Sequence, residues 1–469
     1  DQNIAIGSGA GGGFTSSSDN VAIGHDALAD ANGATYNVAI GTRALKDNTG
    51  VQNIGIGNKA GESLDDGVAN TIVGHLAGQG IDGQSYNTVI GNQALSNASS
   101  NIGGTVAIGY LSLGQGVVTT DATGTTAIGY RALTDLTSGN GNTVIGHDAG
   151  YETTSGGRNT VVGYKALYSS LVTQYTVAVG YEALLSANED ANDGAVAIGY
   201  KAGRLMNCSG GSTANGNTLI GYKVAFDESN DGGLTSGTKC TAVGMEALGA
   251  NANGSLTCAR TTVMGYRAGY ALTGADCDDN VFIGYQAGDS VTTGTDSVIV
   301  GSEADLSAVG GASQIVIGKG VTGSGDNTFT FGVDTTDTTC TNGGTTWSNP
   351  SDKRIKQNIK DSMLGLSFIK DLRPVTFEYK EKKDLPEWHP QYDKDSSKRL
   401  RNNKVNHGFI AQEVKEAMDK AGHFVKNGFE GWGENEHNEL QRVGESAFIA
   451  PLIKAVQELS QQIEDLKKG

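Results

Sequence analysis

Proline is scarce in this chain, 5 residues in 469, and aromatic side chains make up only 6%. The 70 glycines therefore belong neither to collagen, which pairs a strict glycine period with abundant proline, nor to a proline-rich disordered tract. No run of 18 apolar residues occurs, so a membrane-spanning helix is not expected. Basic residues are scarce in the first part: residues 1–350 carry 13 Lys and Arg against 31 Asp and Glu, a balance of -18, whereas residues 351–469 carry 21 against 20. Together these give the net charge of -17. Such acidity opposes a nucleic-acid partner, because phosphates attract basic surface. The five cysteines (Cys208, Cys240, Cys258, Cys277, Cys340) have no CxxC spacing and read first as small buried apolar residues, with bridges between loops as the alternative.

What the chain has instead is a repeat. "NIAIGSGA" at Asn3 returns as "NVAIGHDAL" from Asn20, "NVAIGTRAL" from Asn37, "NTVIGNQAL" from Asn87, "NTVVGYKAL" from Asn159 and "NVFIGYQAG" from Asn280. Its glycine falls at eighteen positions from Gly7 to Gly318, mostly 16 to 18 residues apart. Longer spacings absorb inserts such as "MNCSGGSTANG" and "DESNDGGLTSGTKC", which are expected to bulge as loops.

Within each unit, x-[VI]-x-[IV]-G alternates a β-branched residue directed inward with a neighbour on the other face, the period of a strand. Glycine then turns the chain, and the Ala-Leu or Ala-Gly pair is expected to form a second short strand. Two strands per coil make a β-solenoid; eighteen coils at about 4.8 Å each reach roughly 85 Å. These units resemble the head repeats of trimeric autotransporter adhesins, with N-x-[AV]-I-G-x-x-[AS] at a shorter spacing. The resemblance implies a left-handed β-roll in a parallel homotrimer, where packing of three thin rolls supplies buried area.

After the glycine comes a larger residue: Tyr110, Tyr130, Tyr164, Tyr181, Tyr200, Tyr222, Tyr266 and Tyr285, with His25, His75 and His147 in the same slot. A ladder of stacked rings fits this placement better than metal ligation, since these histidines fall several coils apart. "GSGAGG" at Gly7 lacks the βαβ context of a dinucleotide site, and the acidic "ANEDANDG" lacks the calcium-roll period, so no cofactor and no metal are expected.

At Ser351 the composition becomes ordinary. "LRPVTFEYK" reads as a strand, "HGFIAQEVKEAMDKAG" as a strand and a helix ended by Gly422, and "PLIKAVQELSQQIEDLKKG" as a terminal helix. In the last, Leu452, Val456, Leu459, Ile463 and Leu466 form a short coiled-coil seam. The stretches "SDKRIKQNI", "LRPVTFEY", "GFIAQEV" and "PLIKAVQEL" resemble, in order, the intramolecular chaperone auto-processing domain that ends bacteriophage tail spikes and fibres. The resemblance implies Ser351 as nucleophile and Lys356 as its general base, cutting the chain at the Pro350-Ser351-Asp352 segment. His407 is the alternative base; Gln412 and Glu413 orient the site or serve structure.

A serine needs a base to take its proton, and lysine serves only if burial or a nearby cation brings its pKa down from about 10.4. Five residues is about 140° round a helix and opposite faces of a strand. A turn, or pairing between chains, must therefore join Ser351 and Lys356, and either is expected only in the assembled trimer. The alternative for Ser351 is a helix N-cap.

The expected organisation is a mainly β fold with a roll at 1–324, a neck at 325–350, and a small α+β chaperone at 351–469 that ends in a coiled-coil helix at 451–468. The expected function is a homotrimeric phage tail fibre or spike that binds a host surface receptor, glycan or outer-membrane component. It is expected in the virion, assembled in the bacterial cytoplasm and joined to other tail proteins through a preceding segment, without membrane insertion. A bacterial surface adhesin, which would carry an anchoring barrel beyond "DLKKG", and a glycan-depolymerising spike are the alternatives.

Overall fold

The computed structural model describes all residues except 1, 99–101, 119–121, 188–192, 207–215, 228–231, 234–237, 250–255, 257, 274–276, 345–346, 349–350, 402, 423–430 and 435–438. The inserts at 206–216 and 227–240 and the acidic loop at 187–194 lie largely outside the described residues, as does Cys208. Contacts divide the chain into two units, Asp1–Pro350 and Ser351–Gly469.

The first unit is a parallel β-solenoid. Among the described residues, eighteen repeat strands run from Ile4–Ile6 to Ile315–Lys319, separated by seventeen turns. Each strand pairs in register with the next, as Val21 with Val38, Ala22 with Ala39 and Ile23 with Ile40. Like residues therefore stack in columns.

Two expectations about the coil are corrected. The β-branched residues that flank the middle of each strand do not face inward; the middle residue does, whatever its type. Ala22, Ala39, Ile72, Val89 and Phe282 are fully buried, while Ile40, Ile90, Ile145 and Ile317 are exposed. With a side-chain period of two, a three-residue strand points one residue in and two out. The Ala-Leu pair, moreover, is not a second strand. Asp26 and Leu28 have φ of +55° and +49°, an alternation foreign to extended chain. The backbone curls there around a narrow interior that Leu28 fills, and its N–H still donates to the carbonyl of Ala44 in the next coil at 3.1 Å.

Ahead of many of the strands, a buried asparagine ties coil to coil. Asn37 donates its Nδ2–H to the carbonyl of Gly50 at 3.0 Å, and its Oδ1 accepts the backbone N–H of Asn53 at 2.8 Å. Asn20, Asn53 and Asn70 repeat the pattern. Asn37→Ala strands the buried N–H of Asn53, a loss of about 1–3 kcal/mol. Faster hydrogen exchange at the Asn53 amide, with a lower unfolding midpoint, is the expected outcome.

The ring ladder forms. Tyr110 stacks on Tyr130 at 5.3 Å, His147 lies between Tyr130 (4.7 Å) and Tyr164 (5.3 Å), and the stack continues through Tyr181 and Tyr200 to Tyr222. The first reading of the cysteines fails for two of them, since Cys258 and Cys277 form a disulfide between adjacent coils. Cys240 and Cys340 are free and buried, and burial pushes the Cys240 thiol up to about 11. After the last repeat, Thr328–Val333 adds in parallel to Ile315–Lys319 and then pairs antiparallel with Thr336–Thr341, so this segment is a hairpin.

The second unit is small and α+β. Its helices are α1 (Leu366–Asp371), α2 (Ala411–Lys420) and α3 (Ile449–Lys468). Val375–Phe377 pairs antiparallel with Asn406–Gly408, and Trp432–Glu434 with Gln441–Val443. Val414, Ala417 and Met418, at helical spacing on α2, pack with Leu364, Phe368, Trp432 and Phe448 as its core. Glu458 of α3 accepts the N–H of Leu366 at 2.8 Å, supplying the cap that Gly365 lacks at the start of α1.

Candidate active site

Residues 351–356 form one turn. Asp352, not Ser351, caps it: its carboxylate accepts the N–H of Arg354 at 2.7 Å, and a single 3-10 turn follows over Lys353–Ile355. The Arg354 guanidinium also pairs with Asp352 at 2.7 Å and, with the backbone bond, holds that carboxyl below the usual carboxylate range. Because Asp352 takes the cap, the Ser351 hydroxyl is left for another donor.

That donor is Lys356. Beyond the turn, Lys356 returns to extended backbone at φ -108° and ψ 141°. Its Nζ donates to Ser351 Oγ at 2.7 Å. The turn resolves the spacing problem that a helix or strand could not. It also corrects the expectation that the two groups meet only in an assembly, since the contact exists within one chain. Both residues are exposed there. Pro350 lies outside the described residues.

The remaining named residues serve other bonds. His407 is exposed on a strand opposite Thr376. Glu413 accepts a two-pronged pair from Arg373, which holds its carboxyl below the usual range. Gln412 is exposed at the start of α2.

Comparison with protein families adds the deciding observation: residues 351–423 match the chaperone of endosialidase family, and the match begins at the serine that holds Lys356. The second unit carries a chaperone of endosialidase domain. This family is one of self-cleaving peptidases. A chaperone of endosialidase domain behind a long β-solenoid matches the organisation of a tail fibre with a C-terminal chaperone. No curated protein and no solved structure matches the chain. Helix α3, with its seam, follows the matched residues of the chaperone domain.

Proposed function

We propose that this chain is a homotrimeric fibre or spike protein of a phage tail, that its C-terminal unit templates assembly, and that Ser351 and Lys356 then sever that unit. The 2.7 Å bond between Lys356 Nζ and Ser351 Oγ carries the reading. Lys356 takes the hydroxyl proton as Ser351 Oγ attacks a neighbouring backbone carbonyl; the peptide C–N bond breaks, Lys356 passes the proton to the departing amine, and water then hydrolyses the ester to a free carboxylate and the serine hydroxyl. Mature particles then hold the shaft without its template, so their durability is kinetic.

Two exposed apolar surfaces support a trimer. On the first unit, the third strand residue repeats as Ile40, Ile56, Ile90, Ile145, Ile198 and Ile283, stacked coil over coil in an uninterrupted aliphatic column. On α3, Leu452, Val456, Leu459, Ile463 and Leu466 are all exposed along one seam. Burying either against copies of itself removes apolar area from water at about 25 cal/mol per Å². The host receptor is a surface component met by the outward faces of the shaft, with the stacked tyrosines as the first surface to probe.

Light scattering combined with intact-mass spectrometry tests the reading. The expected particle is a trimer of a roughly 350-residue fragment, with the remaining roughly 119 residues released. A monomeric shaft, or a wild-type chain that stays whole in mature particles, would overturn it.

A further inference from the structure

Ser351 and Lys356 touch in one chain, yet both are exposed there, and an amine serves a serine as base only where water is excluded or a cation lies beside it. Something must cover them. Every residue from 351 to 363 is exposed, including Ile355 (65%), Ile359 (63%) and Met363 (82%). From 353 to 363 this segment carries four cations, Lys353, Arg354, Lys356 and Lys360, against one anion, Asp361, and of the cations Arg354 is paired with Asp352. It is a net basic ribbon with aliphatic knobs, exposed along its whole length.

The same unit holds a groove with the opposite character. It measures about 510 Å³, Phe377, Tyr379 and Trp388 give it an aromatic wall, and Glu439 and Glu445 are its charged residues, with no lysine or arginine in the lining. Gln441 lines it too, and its Oε1 is buried without a hydrogen-bond partner among the described residues, an acceptor awaiting a donor. Charge, apolar surface and an unmet acceptor all match the ribbon. Among the described residues of one chain, both are left open.

We propose that residues 353–363 of one protomer dock in the aromatic groove of a second copy, with Ile355 and Ile359 against Tyr379 and Trp388 and the lysines toward Glu439 and Glu445. Docking strips water from the Ser351–Lys356 pair, so the bond between them becomes catalytically useful only when a neighbour is present. This inference rests on the self-cleavage reading and adds the surface that gates it. It moves the dependence on assembly from contact formation to desolvation.

The test uses two differently tagged full-length chains, co-expressed, both carrying Ser351→Ala so that the tether persists. One carries p-benzoylphenylalanine in place of Ile359. Irradiation should give an adduct between the two tags, mapping to peptides that contain Tyr379, Trp388 or Glu445. An adduct within one chain only, an adduct on the shaft or α3, or none at all would overturn the docking. In cleavable chains, Trp388→Ala and Glu445→Gln should slow cleavage at least tenfold while the trimer mass stays unchanged; unaltered rates would equally count against it. If wild type never cleaves, the self-cleavage reading fails, and the photo-adduct still decides the docking.

Discussion

Ser351→Ala should leave every chain at its full 469 residues, while wild type separates on a denaturing gel into pieces of roughly 350 and 119 residues. Lys356→Ala should do the same, with the rate down by at least about a hundredfold, the lower end of what a positioned base contributes. Lys356→Arg separates chemistry from charge. An arginine can still donate to Ser351 Oγ, but its guanidinium does not deprotonate in proteins, so that variant should also remain whole. If Lys356→Arg cuts at the wild-type rate, the lysine only positions the turn. Intact-mass spectrometry of each variant distinguishes these results, and Asp352→Ala adds a control. It removes the cap from the turn and should slow cleavage less than removal of either member of the pair.

Gly163→Ala should cripple the shaft. Gly163 sits at φ +143°, a conformation that strains any L side chain, and a Cβ there would overlap the carbonyl oxygen of Gly180 in the next coil. Even at Gly24, where the fit is slightly looser, a Cβ would stand 2.5 Å from the oxygen of Gly41. Backbone faces backbone in this column, so no flexible side chain can yield. Strain of this kind costs about 1–3 kcal/mol before any overlap is relieved, and the sum should reach at least about 3 kcal/mol. The unfolding half-life in denaturant should fall by about a hundredfold. Gly33→Asn is the contrast: φ is +78°, but nothing lies within 4 Å of its Cβ, so asparagine should be tolerated. Equal damage from both substitutions would mean that φ, not the approach of neighbouring coils, sets the requirement.

Much of this was legible because the repeat states itself many times over. The glycine spacing gave the coil count, and the slot after it gave the ring ladder, since in-register pairing must stack whatever occupies one position. Which way the strand faced was not legible. A three-residue strand has no longer alternation to average, and Val and Ile in "NVAIG" looked like core because they are the larger side chains. Their outward placement makes sense only once the middle residue, Ala22 here and Phe282 in another coil, proves to fill the interior together with the leucine or glycine of the turn. The Ala-Leu pair misled for a related reason, as positive φ at Leu28 leaves no trace in residue type. The role of Asn37 was hidden although the residue recurs plainly, because its partners lie 13 and 16 residues away and depend on register.

In the second unit, the ends of α2 and α3 followed from local pattern, whereas Ser351 and Lys356 were singled out only by the resemblance of four ordered stretches, since their spacing suits neither a helix nor a strand. The groove followed from neither. Glu445 lies more than fifty residues after Tyr379 and Trp388, so no local pattern joins it to them, and only the tertiary fold brings the three to one groove.

The register of the solenoid has a consequence for its history. Because each coil meets only the one before and the one after, through identical positions, a whole unit of DNA encoding some 17 residues can be duplicated or dropped without disturbing the joints that remain. Reach becomes an adjustable dimension, altered in steps of about 4.8 Å by slippage at the gene, while the second unit is left as it was.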